Sequence, residues 1–258
     1  MKEIIEINAE ATSLRKLFGE DAYSPIDIFS LISNNADMTV VFYPMSDRVS
    51  GICVRDAENK IMAINSLSSY GRQRFTAAHE LYHLFYHDDF NKVICAKDMD
   101  INKDAREIEA DNFASYFLAP YAALTDFIKD KLQKQKGKLD VNDIVRIEQY
   151  FGLSRQATLW RLTKDGYLDR KDADEMKIGI IRSAIKLGYD DTLYVPSHES
   201  KKYFTLGKYV KMAEELKERE LISNGKYEEL LLGAFRSDIV YGLVAEGEES
   251  YEIGRAHV

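Results

Sequence analysis

A chain of 258 residues with 45% apolar side chains can bury a sizeable core and exceeds the usual single-domain size, so more than one structural unit is expected. Thirty-five Lys and Arg stand against 43 Asp and Glu, a formal charge of −8, which argues against broad non-specific nucleic-acid binding, because that rests on neutralising phosphates. Two cysteines, Cys53 and Cys95, make no disulfide framework, the charged N-terminus has no signal-peptide core, and no apolar run approaches about 18 residues, so the expectation is a cytoplasmic protein that does not span a membrane.

Taken in order, residues 8–18 read as a helix with Leu14, Leu17 and Phe18 on one face and Gly19 as its stop. Ser24-Pro25 reads as an N-cap followed by proline, with Asp27 in the first turn and Ile28, Leu31 and Ile32 as the buried stripe. The period then changes. Residues 39–43, 51–55 and 61–65 are short β-rich runs, the last two separated by the turn Asp56-Ala57-Glu58-Asn59, and a small antiparallel sheet is expected.

Residues 74–87, RFTAAHELYHLFYH, carry the HExxH spacing of a zinc site. Four residues of α-helix turn the chain by about 400°, so His79 and His83 stand about 40° apart, one turn above the other. Two imidazoles on one rigid face can then reach a single Zn2+ ion. Glu80 follows His79 by about 100° of rotation, beside the ligands, where its carboxylate can take a proton from a water activated at the ion. Ala77, Leu81 and Leu84 add an apolar stripe that buries one side of this helix. His87, one further turn along, is read as a neighbour of the ligands rather than a ligand.

A polar connection follows, residues 88–104, in which Cys95 is read as an inert, partly buried cysteine, with metal ligation or a redox switch as the minor alternative. Then DAREIEADNFASYFLAP places Ala110, Phe113, Ala114 and Phe117 at i, i+3, i+4 and i+7, with Pro120 closing the helix. Glu107 and Asp111 ride one turn apart, so Glu107 is the leading third ligand and Asp111 the group that orients a ligand imidazole. Glu109 is the competitor; it points about 200° away from Glu107, so the two cannot face one ion.

RFTAAHELYH followed by EIEADNFASYFLAP resembles the ImmA/IrrE family of metallopeptidases, small intracellular gluzincin-like enzymes. The matching residues are Arg74-Phe75-Thr76, His79, Glu80, His83, Glu107, Ala110-Asp111, Phe113-Ala114 and Pro120, within a stretch of roughly residues 20–135. Tyr82 stands where many members have glycine, and Asp111 where many have asparagine. The resemblance implies a zinc-dependent endopeptidase with His79, His83 and Glu107 on the ion and Glu80 as general base. It also implies a protein substrate, a helix-turn-helix repressor or antitoxin. For an additional oxyanion donor the candidates are Tyr116 and Tyr82.

Lys and Gln accumulate up to Gly137, a boundary signal. Beyond it the chain reads helix, a turn at Phe151-Gly152-Leu153-Ser154, and helix. Arg155 and Gln156 occupy the start of the second helix, where base readout would place them. Trp160 and Leu162 look like packing, and the acidic chain favours a scaffold or docking role over direct DNA contact. Further on, Ile178, Ile181 and Ile185 suggest a helix ended by Gly188, and residues 192–195 a short strand. Leu206, Tyr209, Val210, Ala213 and Leu216 suggest a long helix, and residues 227–235 another; the last twelve residues look like a solvated tail.

The expected fold is α+β. It comprises a small antiparallel sheet packed on a zincin helix pair (residues 1–135), a helix-turn-helix-like segment (136–169) and a mainly helical C-terminal region (170–258). Two rival functions stand beside the peptidase: a catalytically silent, metal-bearing partner of a toxin or repressor, and a DNA-binding regulator acting through residues 140–168.

Overall fold

The β-rich runs form β1 (Thr39–Tyr43), β2 (Val49–Arg55) and β3 (Lys60–Asn65), and two further segments, β4 (Lys92–Ala96) and β5 (Phe204–Gly207), complete a five-stranded sheet in the order β4-β2-β3-β1-β5. This computed structural model describes residues 2–35, 37–56, 58–87, 92–96 and 104–242, with backbone alone at 35 and 92–96. The weighed role of the Cys95 thiol and the expected tail after residue 246 lie outside the described residues.

β2 and β3 make the expected hairpin, and Asp56 Oδ1 accepts the N–H groups of Glu58 and Asn59 at its turn (2.8 and 2.7 Å). β3 lies between β2 and β1, antiparallel to β2 and parallel to β1. The sheet is mixed rather than antiparallel. Neighbours in sequence pair most often, but here β3 takes the place beside β1 that β2 would have filled.

The register aligns Cys53, Met62 and Val40 in one row and Gly51, Ile64 and Phe42 in the next. All six are buried, and α3 (Tyr70–Tyr86) packs on β2 and β3. α4 (Ala105–Leu118) packs against α3, and α1 (Ile4–Leu17) against α4. Helix α3 is thus enclosed, and the Ala77, Leu81 and Leu84 stripe is buried as its spacing requires. Asp104 caps α4, whose Ala110, Phe113, Ala114 and Phe117 are fully buried, and Pro120 opens α5 (Tyr121–Asp126).

Two helix starts differ from expectation. α1 begins before residue 8 and buries Ile7, Ala11 and Leu14, which leaves Leu17 71% exposed on the other side. α2 (Ile28–Asn35) is capped by Asp27, which accepts from the Phe29 N–H (3.2 Å) and the Ser30 hydroxyl (2.7 Å). Ser24 instead serves a turn organised by Asp21. Ile28, Leu31 and Ile32 are buried as read.

The helix-turn-helix spacing folds into α6 (Val141–Phe151) and α7 (Arg155–Lys164). Gly152 ends α6 at φ 66°, and a Cβ there would lie 2.5 Å from Arg74 Nε, so the turn needs glycine for its conformation and for the approach of Arg74. Arg74 in turn donates to the carbonyls of Gly152 (3.0 Å) and Ile26 (2.6 Å), fastening α3 to this segment.

Arg155 is only 2% exposed. It is ion-paired with the fully buried Glu148 and donates to Met176 O (2.7 Å) and Ser183 Oγ (3.0 Å). One of the two side chains placed for base readout is therefore part of the scaffold. Arg155→Gln would leave Glu148 buried without its cation, and breaking such a pair costs about 3–5 kcal/mol. Chemical denaturation of the variant is expected to show a loss of that size; wild-type stability would contradict the structural role.

α8 (Arg170–Glu175) and α9 (Ile180–Lys186) follow. α9 buries Ala184, while Ile178 and Ile185 are 80% and 59% exposed and Ile181 lies at the surface. The isoleucine spacing is helical without marking the buried face, because a seven-residue helix docks through its smallest side chain. Residues 192–194 form a 3-10 turn rather than a strand, and Leu206 belongs to β5, opposite Val40, rather than to the following helix.

The chain divides into two compact units, Met1–Gly207 and Lys208–Val258. The second contains α10 (Lys208–Glu218), α11 (Asn224–Gly233) and α12 (Ser237–Val240), with α10 packed on α11 and Ser223 capping α11. Among the described residues no helix is long and apolar enough to cross a membrane.

Candidate metal centre

His79 and His83 project from adjacent turns of α3, and Glu107 reaches them from the first turn of α4. His79 Nε2 lies 3.1 Å from His83 Nε2, Glu107 Oε2 3.3 Å from His79 Nε2, and Glu107 Oε1 3.2 Å from His83 Nε2. The three groups offer donor atoms close enough together to hold one metal ion. With zinc–ligand bonds of about 2.0–2.1 Å, the edge of a tetrahedron is about 3.3–3.4 Å. The separation of the two imidazole nitrogens and the reach of a Glu107 oxygen to each are thus close to tetrahedral edges, and among the described residues these three groups are the ones gathered for an ion. Their chemistry, two imidazoles and a carboxylate, also suits zinc.

Each imidazole is oriented from behind. His79 Nδ1 lies 2.9 Å from Asp111 Oδ1, and His83 Nδ1 lies 2.8 Å from His87 Nδ1. With both Nε2 atoms given to an ion, the Nδ1–H of His79 donates to the carboxylate and that of His83 to the ring of His87. Burial, followed by the charges of His83 and Arg106, pulls His87 down to about 4, so it stays neutral and can accept. Burial alone would raise the Glu107 carboxyl, but its bonds to the two imidazoles outweigh this and hold it well below the ordinary carboxylate range.

Burial likewise lowers His79, yet the bonds to Asp111 and Glu107 prevail and raise it to about 9. A group raised on folding stabilises most fully below its unfolded pKa, about 6.5, and that contribution is lost as pH rises through the folded value. Metal-free protein is therefore expected to lose stability between pH 6.5 and 9, and to bind zinc more weakly as pH falls and the proton competes. Denaturation and zinc titration across this range check both signs; a metal-free stability that rises with pH would contradict the assignment.

Glu80 is fully buried, and among the described residues neither of its carboxylate oxygens has a hydrogen-bond partner. A buried carboxylate without a donor is costly, and a water beside the ligands would satisfy it. The sheet leaves room for this group: a Cβ on Gly51 would lie 2.7 Å from Glu80 Oε1 and 2.6 Å from Thr76 Cγ2. Cys53, two residues on along β2, has its thiol pushed far above its usual range by burial and then by the Glu80 charge, so it stays protonated. Strand alternation places Gly51 and Cys53 on one face, but nothing in the sequence says that this face meets Glu80.

The other candidates lie elsewhere. Glu109 accepts from the Lys2 backbone N–H (2.6 Å) and the Tyr82 hydroxyl (3.2 Å), as its opposite direction on the helix requires. Tyr82 is thereby committed, its ring stacked on Tyr86. The Tyr116 ring lies under the Arg161 guanidinium, 3.8 Å from centroid to Cζ, with its hydroxyl toward Asp165 (3.4 Å). Neither tyrosine hydroxyl is directed to the ligand triad, which corrects both oxyanion candidates.

A family model described as the IrrE N-terminal-like domain, a peptidase family, matches residues 34–163, half of the chain. None of the curated proteins matches it. Among solved structures, a Mycobacterium tuberculosis transcriptional regulator overlays with a TM-score of 0.42 at 15% identity, covering 62% of this chain and 46% of that one. This chain thus spans less than half of the regulator's length, and so distant a likeness carries no functional argument.

Proposed function

The chain belongs to the peptidase family of the IrrE N-terminal-like domain, and on that premise we propose that it is a zinc-dependent endopeptidase. The observation that carries the reading is the pairing of a three-donor site with a buried carboxylate next to it that has no hydrogen-bond partner among the described residues. His79, His83 and Glu107 would hold the ion, and Asp111 and His87 would fix the two rings. When bound, zinc would supply Lewis acidity, polarising the scissile carbonyl and making an adjacent water more acidic.

Glu80 does the proton work. It takes a proton from the attacking water and delivers it to the departing amine, so the carboxylate is regenerated when the peptide bond has been cleaved. Enclosure between sheet and helices shields Glu80, with the protonated Cys53 thiol, a weak donor, beside it, and Gly51 keeps the space open for its carboxylate.

The substrate we propose is another protein, a helix-turn-helix repressor or antitoxin, as the family membership suggests. Direct base readout is disfavoured by the burial of Arg155 in its pair with Glu148. Incubation of zinc-loaded protein with a repressor encoded beside it, read by mass spectrometry, is expected to yield two fragments from one internal cut, abolished by chelation. An intact repressor bound stoichiometrically to the zinc-loaded chain would instead support a silent partner.

A further inference from the structure

The start of α7 lies against the first turn of α3, about two helical turns before His79. Gly71, in the first turn of α3, lies so close to the start of α7 that a Cβ on it would be 3.0 Å from the backbone nitrogen of Ser154, the α7 N-cap. The first N–H groups of a helix have no acceptor in their own helix, and together they carry about half a positive charge. At α3 the Tyr70 N–H donates to Val195 O (2.8 Å) and the Arg72 and Gln73 N–H groups to Ser69 O (2.8 and 2.9 Å), so it is chiefly the start of α7 that offers N–H groups to an anion here.

A cavity of about 280 Å³ opens at this junction. Ser68, Ser69, Arg72, Ser154, Gln156 and Ile180 are on its wall, and no carboxylate is among the residues that line it. Arg72 is anchored by a bond to Ser50 Oγ (3.2 Å) and brings a full positive charge. Ser69 stands at the α3 N-cap, yet its side chain makes no cap hydrogen bond.

An independent observation points to a ligand. Ser68, 4% exposed and on the cavity wall, has a hydroxyl with no hydrogen-bond partner among the described residues. A buried hydroxyl left so is costly. A helix end, an arginine and serine hydroxyls converge on the chemistry that recognises a tetrahedral oxyanion.

We propose that this cavity binds a phosphate-type oxyanion, held by Arg72, the hydroxyls of Ser68 and Ser69, and the first-turn N–H groups of α7. The source is inorganic phosphate or a phosphomonoester, for whose organic substituent Ile180 supplies an apolar wall. The site stands roughly 10 Å along α3 from His79, so it is distinct from the metal centre. Because α3 carries both histidines, the bound anion ties the metal helix to α7.

Full-length protein titrated with sodium phosphate against sodium chloride at equal ionic strength, followed by amide chemical shifts and thermal unfolding, tests this. Saturable phosphate binding is expected, weakened about tenfold or more in Arg72→Gln and about threefold or more in Ser68→Ala, and unchanged in Lys177→Gln. Phenyl phosphate that binds tighter than inorganic phosphate identifies a phosphomonoester as the source; equal or weaker binding identifies free phosphate. Should Arg72→Gln fail to fold, Ser68→Ala, which removes a single hydroxyl, decides. Phosphate that does no more than chloride, or wild-type affinity in the folded variants, overturns the proposal.

Discussion

Glu80→Gln is expected to lower cleavage of the cognate protein by about two to four orders of magnitude, the range that a general acid–base group contributes, while zinc stays bound at one ion per chain. The substitution is nearly isosteric, so the space made by Gly51 still holds the side chain. What changes is that an amide cannot take the proton of the attacking water. The carboxylate lies outside the ligand triad, so zinc affinity should move little. Titration with a chromophoric chelator, run beside a fragment-yield assay, separates the two effects. Cleavage at the wild-type rate would remove Glu80 from the mechanism. Equal, uncleaved complexes from wild type and variant would favour the silent-partner reading.

Glu107→Gln should produce the opposite split: zinc affinity is expected to fall on the order of a hundredfold or more, since losing a direct ligand should exceed the 10- to 100-fold cost of losing an outer-shell partner. Glu107 supplies the only carboxylate among the three donors and spans both histidines with its two oxygens. In the metal-free protein the same substitution removes one of the two hydrogen-bond partners that raise His79, leaving Asp111 and the charge of Glu80. Its pKa should therefore drop, and the stability lost between pH 6.5 and 9 should shrink. Zinc affinity equal to wild type would show that the carboxylate is no ligand.

Much of the centre was legible because helical spacing is a strong geometric constraint. The i, i+4 separation put His79 and His83 on one face, the same rule separated Glu107 from Glu109, and it set Asp111 one turn behind Glu107. It also placed His87 behind His83, though not the bond between their Nδ1 atoms. The cross-sheet contacts were hidden. Gly51 and Cys53 gain their meaning from where α3 lands on β2, a long-range register that no local pattern encodes.

Sheet topology failed for a related reason. The hairpin at Asp56 is written in turn residues, whereas β3 beside β1, and β5 returning from residue 204 to pair with β1, depend on tertiary packing. β-rich composition identifies strands and leaves their order open. Exposed isoleucines on α9 and buried Arg155 on α7 make the converse point: residue type predicts burial for the first and exposure for the second, and the neighbours decided each the other way. Arg15 belongs with them, fully buried and satisfied by the carbonyls of Asp21, Ser24 and Phe117.

Anomalous diffraction at the zinc absorption edge from crystals of the zinc-loaded protein tests the account most directly. It should show one peak about 2.0–2.2 Å from His79 Nε2, His83 Nε2 and a Glu107 oxygen, with a non-protein fourth position facing Glu80. A peak bound by other side chains, or histidines that hold the ion with Glu107 turned away and no other acid in its place, would contradict it.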